Sequence, residues 1–193
     1  MSNIFLNKKI GHLILLASLL LIIVTASFLA ASAIENNDTA KELIGDFGYL
    51  GVFVIALIAG LNAIIPVPVA TFTPIFLAGG LSIYLIIIFL VAGTLLADLV
   101  GFFIGKWGHS FVTNHYPGTF EKIANLHQKH SYLIPYFVFF YASFVPFPNE
   151  AYLIPLGLLN VPLRSFIIPI ILGTFVYITI SVFGFDAIFN YFF

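Results

Sequence analysis

The chain has no cysteine among its 193 residues, which excludes disulfides, thiol catalysis and Cys-ligated metals. Charge is scarce: 8% of residues are Asp, Glu, Lys or Arg, against about 25% in a soluble domain. Such a chain cannot cover its surface with polar groups, so its solvent must be lipid. A net charge of −1 gives no bulk attraction to nucleic acid, and none is expected as a partner. The chain also lacks HExxH, GxSxG, a Walker loop and a dinucleotide fingerprint. No nucleophile–base pair stands out. Neither enzyme activity, a catalytic residue nor a cofactor is expected. His109, His115, His127 and His130 share one polar segment, but no ligand framework accompanies them, and they read as interfacial or solvated rather than metal-binding.

What is present is hydrocarbon. The chain is 61% hydrophobic, with 23 Phe and 9 Tyr, suited to lipid contact and interfacial rings. Residues 10–34 form an apolar run behind Lys8 and Lys9, long enough for a spanning helix of about 20 residues. A rival reading makes the run a signal peptide cut near Ala31-Ser32-Ala33. The anchored helix is preferred, because the run is long for a signal-peptide core. Residues 35–46 are polar and rich in acids. Residues 48–82 are apolar but broken by Pro66, Pro68 and Pro74, which reads as two half-length helices meeting at the Pro66–Pro68 break. Residues 83–105 predict a clean span carrying one acid, Asp98. Residues 106–131 are polar, with an apolar stripe at Phe120, Ile123, Ala124 and Leu126 that fits an amphipathic helix in the headgroup region. A second broken stretch, 132–162, is interrupted at Pro146 and Pro148, and 163–184 is the last predicted span.

An offset of 80 residues aligns Pro66 with Pro146, Pro68 with Pro148, Gly93 with Gly173 and Thr94 with Thr174. Each unit then reads as a broken hairpin followed by one span. If each hairpin enters and leaves on one side, the second unit is inverted relative to the first, a recurring transporter plan. Two ordinary proline-kinked spans per unit is the alternative. Charge discriminates between them. With the N-terminus cytoplasmic and crossings at 10–34, 83–105 and 163–184, six of the seven basic residues fall inside and only Lys41 outside. Full crossing of both broken stretches would put Lys106, Lys122 and Lys129 outside, so charge favours re-entrant hairpins. The expected fold is therefore an all-α integral membrane protein. An N-terminal transmembrane helix (1–34) precedes a membrane domain (35–193) built as an inverted repeat of re-entrant hairpin plus transmembrane helix.

Three stretches together, IPVPVATFTPIFLAGG (65–80), GTLLADLVGFFIGKWG (93–108) and FVPFPNEAYLIPLG (144–157), resemble the DedA family, also called the VTT or SNARE-associated Golgi-protein family. The resemblance covers roughly residues 48–184. It implies movement of membrane lipid between leaflets, of polyprenyl phosphate or phospholipid, in a prokaryotic plasma membrane. The chain departs from many bacterial members in having Val69-Ala70-Thr71 where they carry an acid, and in lacking arginines around its second loop.

Glu150 is the leading site candidate. An unpaired ionised acid in the bilayer costs about 2.5–3.5 kcal/mol on insertion scales, so it should face a polar cavity, pair or stay protonated. Its alternative role is to cap half-helix amides freed by Pro148. Asp98, with Gly101 and Gly105 on its helix face, is a second proton-coupling candidate, or an interfacial acid near Lys106. Asn149 and Arg164 are candidate headgroup contacts; Pro66, Pro68, Pro146 and Pro148 are architectural breaks. The expected role is a lipid flippase or scramblase, with protons as a coupling partner and a homodimer left open. The alternatives are a proton-coupled transporter of a small soluble solute and a non-transporting scaffold.

Overall fold

The structure is a computed structural model that describes residues 2–61 and 68–192. Those residues form eight α-helices joined by short turns, with no strand among them. Four helices are apolar and long enough to cross a membrane, and the protein is an integral membrane protein. Pro66 lies outside the described residues.

Helix α1 (Ser2–Glu35) closes on Asn36 and Asn37, and the Asn37 side chain then caps α2 (Asp38–Gly60) by accepting from the Ala40 amide at 3.1 Å. The polar residues 38–46 are thus the first turns of a helix. That helix bends at Gly48, whose φ of 49° sits in the left-handed region open to glycine. Beyond Pro68 a 3-10 turn (Val69–Phe72) leads into the short helix α3 (Thr73–Ala78), with Pro74 in its first turn, where its missing N–H does no harm.

Helix α4 (Ile83–His115) runs 33 residues. The expected end at 105 is corrected here, since residues 106–115 extend α4 instead of opening an interfacial segment. Nothing between Gly105 and His115 breaks a helix, and the chain turns only at Pro117. Helix α5 (Pro117–Lys129) is the amphipathic element, shorter than the expected 106–131. A 3-10 turn (Ser131–Leu133) and helix α6 (Ile134–Phe144) follow. The Pro146–Pro148 break then separates α6 from α7 (Glu150–Leu158). Helix α8 (Ile167–Phe192) begins later and ends later than the predicted 163–184. Leu163–Ser165 makes a 3-10 turn behind Pro162, and the tail after Gly184 simply stays helical.

Packing follows an exchange pattern. Helix α4 holds α2 from its own half of the chain and α7 from the other, while α8 holds α6 from its own half and Val69–Ala78 from the other. In lipid there is little hydrophobic drive between helices, so close approach of small residues carries the contact. A Cβ on Gly93 of α4 would fall 2.5 Å from the Phe53 carbonyl oxygen and 2.6 Å from the Ala56 methyl of α2. A Cβ on Gly173 of α8 would fall 2.8 Å from the Phe139 carbonyl oxygen and 2.7 Å from the Ala142 methyl of α6. The same glycine-on-Phe-x-x-Ala contact recurs, at the glycine pair that the 80-residue offset aligns. The α4–α7 contact is tighter still, with Gly105 against the Ile154 backbone and Gly157 against Phe102 and Lys106.

Candidate functional site

Pro68, the Pro146–Pro148 break and the long helices beside them line a partly open cavity of about 100 Å3. Pro68 borders it from the first break; Pro146, Pro148, Asn149 and Glu150 border it from the second. Helix α4 contributes Thr94 and Asp98, one turn apart on a common face, and α8 contributes Thr174 and Tyr177.

Local sequence explains each placement. Pro146 and Pro148 have no N–H, so the carbonyls of Ala142 and Phe144 lose their usual helical donors, and α6 must stop. The Phe147 N–H turns back to the Val145 carbonyl at 2.8 Å instead of serving Ser143. Helix α7 starts two residues later. Its first amides are already used: Ala151 N–H donates to Pro148 and Tyr152 N–H to Asn149. Glu150 therefore does not cap the amides of the following residues. Its Oε1 is buried with no hydrogen-bond partner among the described residues. The residue is 6% exposed. Gly101 makes room for it, since a Cβ there would lie 3.1 Å from the Glu150 Cγ.

Asp98 is 2% exposed, and its Oδ2 accepts from the Asn149 Nδ2 at 2.9 Å. It is a buried, hydrogen-bonded acid set well inside α4, not a solvated interfacial one. The Asn149 side chain is thereby directed to Asp98. Arg164 sits apart, exposed on the 3-10 turn before α8 and not lining the cavity. The other proposed site residues within the described region, namely Asp98, Asn149, Glu150, Pro68, Pro146 and Pro148, all border one cavity.

The sequence reading aligns Thr94 with Thr174 but assigns them no role. Both line the cavity, and neither hydroxyl has a hydrogen-bond partner. Thr25 and Thr113, by contrast, donate back to their own helices at 2.8 and 3.0 Å, as helical threonines commonly do. The usable signal was the spacing of Thr94 four residues before Asp98, which puts both on one face. A neighbouring apolar groove of about 660 Å3, between α1, α2 and α3, shares Ala59 with the cavity wall. At the far end of α7, the His109 ring nitrogen Nδ1 lies 2.6 Å from the Leu158 carbonyl oxygen, while its ring meets Phe120 of α5 edge-on at 5.3 Å. Among the described residues no three or more His, Asp or Glu side chains gather as a metal site.

A family model described as the VTT domain matches residues 67–187, which spans both halves of the cavity but leaves α1 and α2 ahead of the match. No curated protein and no solved structure matches the chain. With more than half of its length matched by that model, the chain belongs to the VTT-domain family, the DedA or SNARE-associated Golgi proteins.

Proposed function

We propose that this protein moves lipid between the leaflets of a prokaryotic plasma membrane, as a flippase or scramblase of phospholipid or polyprenyl phosphate. In this reading the headgroup passes the cavity between the proline breaks while the tails stay in hydrocarbon. The observation that carries it is the junction at Ala59, where the cavity bearing Asp98, Asn149 and Glu150 adjoins an apolar groove. A headgroup and its tails need that pairing; a soluble solute would need an enclosed site larger than about 100 Å3.

Helix lengths support re-entrant hairpins. Helices α6 and α7 have 11 and 9 residues, and at 1.5 Å per residue neither reaches half-way much beyond the middle of a core about 30 Å thick. The stretch of α2 beyond its bend, residues 49–60, is equally short. The recurring glycine contacts and the exchange of short helices between halves support an inverted repeat. The distribution of basic residues supports a cytoplasmic N-terminus.

Glu150 couples movement to protons by exchanging one at its unpartnered oxygen, with Asp98 as its neighbour across Asn149. Arg164, exposed on its turn, gathers anionic headgroups at the interface. The test is movement of fluorescent phospholipid and polyprenyl phosphate in proteoliposomes, with and without a pH gradient. Movement above empty liposomes, reduced at least tenfold by Glu150→Gln, is expected. No movement by well-folded protein would refute the reading, and a silent Glu150→Gln would remove Glu150 from it.

A further inference from the structure

Oxygen dominates the cavity's polar lining. Among the described residues, the polar side chains bordering it are those of Asp98, Glu150, Asn149, Thr94, Thr174 and Tyr177, and no Lys, Arg or His borders it. Two carboxylates and no fixed positive charge attract a cation, and a phosphate headgroup can pass them only when a cation or protons offset their charge. Among the described residues, three side-chain oxygens there are buried and have no hydrogen-bond partner: Glu150 Oε1, Thr94 Oγ1 and Thr174 Oγ1. Glu150 and Thr174 are 6% and 2% exposed. Hydroxyls that forgo the usual bond to their own helix, on two helices bordering one cavity with an unpaired carboxylate oxygen, form a donor set for a hard ion.

The backbone adds to it. At the C-terminal end of α6, Ala142, whose carbonyl loses its helical donor to Pro146, borders the cavity. The C-terminal end of α2 arrives at Gly60. Helix C-termini carry the negative end of the dipole, and carbonyls from broken helices hold coupling ions in membrane transporters. One monovalent cation together with a proton on the second carboxylate brings the two acids to neutrality; a divalent cation would do so alone, so displacement of the bound ion by magnesium or calcium more readily than by sodium would refute the monovalent reading.

We infer that the cavity beside Pro68 and the Pro146–Pro148 break binds one dehydrated alkali-metal cation, held by Glu150, Thr94, Thr174 and the freed Ala142 carbonyl at the end of α6, with Asn149 fixing Asp98 beside it. The inference does not require that the cargo be a lipid. It adds to the proposed function an ion that competes with protons for the same oxygens.

Equilibrium binding of radiolabelled sodium to the full chain in detergent tests it, with N-methylglucamine as the inert cation. Expected is saturable binding of one sodium per chain, displaced by unlabelled sodium or potassium but not by N-methylglucamine. Glu150→Gln should abolish binding, and Thr174→Val and Thr94→Val should each weaken it about tenfold, the loss of one good ligand to a charged group. Thr179→Val is the control, since its hydroxyl is also buried and unpartnered but does not border the cavity. If binding is absent from monodisperse protein, is matched by N-methylglucamine, or falls equally in Thr179→Val, the inference is wrong. Threonine variants also keep the test decisive should Glu150→Gln fail to fold. Lipid movement measured in sodium-free and potassium-free buffer separates the two readings. Undiminished lipid movement by protein that binds no cation overturns this inference alone. Cation binding without any lipid movement upholds it and overturns the lipid reading.

Discussion

Replacing Gly157 by alanine adds one methyl group at the closest helix contact in the molecule. That methyl would strike the Phe102 carbonyl oxygen and lie 2.8 Å from the Lys106 amide nitrogen, inside the 3.4 Å at which ordinary contact begins. Both atoms belong to the backbone of α4, so no side-chain rotation relieves the clash; α7 must move away. Overpacking of this kind costs about 1–3 kcal/mol. Opening a gap of about 0.5–1 Å also forfeits a quarter to a half of the attraction at neighbouring contacts. A loss of about 2–4 kcal/mol is therefore expected, or about 5–12 °C in unfolding midpoint for a chain of this size. The same shift draws Asn149 from Asp98, whose 2.9 Å bond has little room to lengthen. Gly184→Ala is the matched control: its Cβ would meet nothing within 4 Å, and alanine is favoured over glycine in a helix by about 1 kcal/mol. Thermal unfolding of the three proteins in one detergent reads the difference. A Gly157→Ala midpoint within a degree of the parent, or below-parent stability in Gly184→Ala as large as in Gly157→Ala, would refute the reasoning.

Removing the His109 ring with His109→Ala should cost about 1 kcal/mol by unbinding the Leu158 carbonyl, and should release α5 from the α4–α7 pair, detectable as faster amide exchange in Pro117–Lys129. Asn149→Leu leaves the buried Asp98 Oδ2 without its donor, so a loss of about 1–3 kcal/mol is expected; pairing it with Asp98→Leu should recover part of that loss in a double-mutant cycle. Arg164→Gln should leave the unfolding midpoint unchanged, within about 0.5 kcal/mol, because Arg164 is exposed. In nanodiscs of mixed lipid it should lower the enrichment of anionic over zwitterionic lipid next to the protein about fivefold, near 1 kcal/mol for one charge.

The broken architecture was legible because proline acts locally: Pro146 and Pro148 end α6 whatever surrounds them. The offset of 80 residues was legible through glycines and threonines that a chain rich in Ile and Leu does not repeat by accident. The end of α4 was not, since a helix continues until something stops it, and polar side chains from Lys106 to His115 do not. Asp98 was legible as an acid in an apolar span, a proton-coupling candidate with an interfacial acid near Lys106 as the alternative, but its surroundings were not. Its burial depends on α7, which arrives 50 residues later and brings Asn149. The cavity threonines escaped notice for a similar reason: a threonine in an apolar helix ordinarily satisfies its hydroxyl on its own backbone, and only the tertiary structure shows that these do not.

The exchange of short helices between halves has a consequence for biogenesis. Val69–Ala78 needs α8 as its permanent neighbour, but a ribosome making about 5–20 residues per second delivers α8 only several seconds afterwards. Helix α1 is already present. It packs on α3, with Phe28 and Ala31 against Ala78, and the Ser27 hydroxyl donates to the Thr71 carbonyl. During those seconds α1 can hold Val69–Ala78 in the nascent chain, acting as its built-in chaperone.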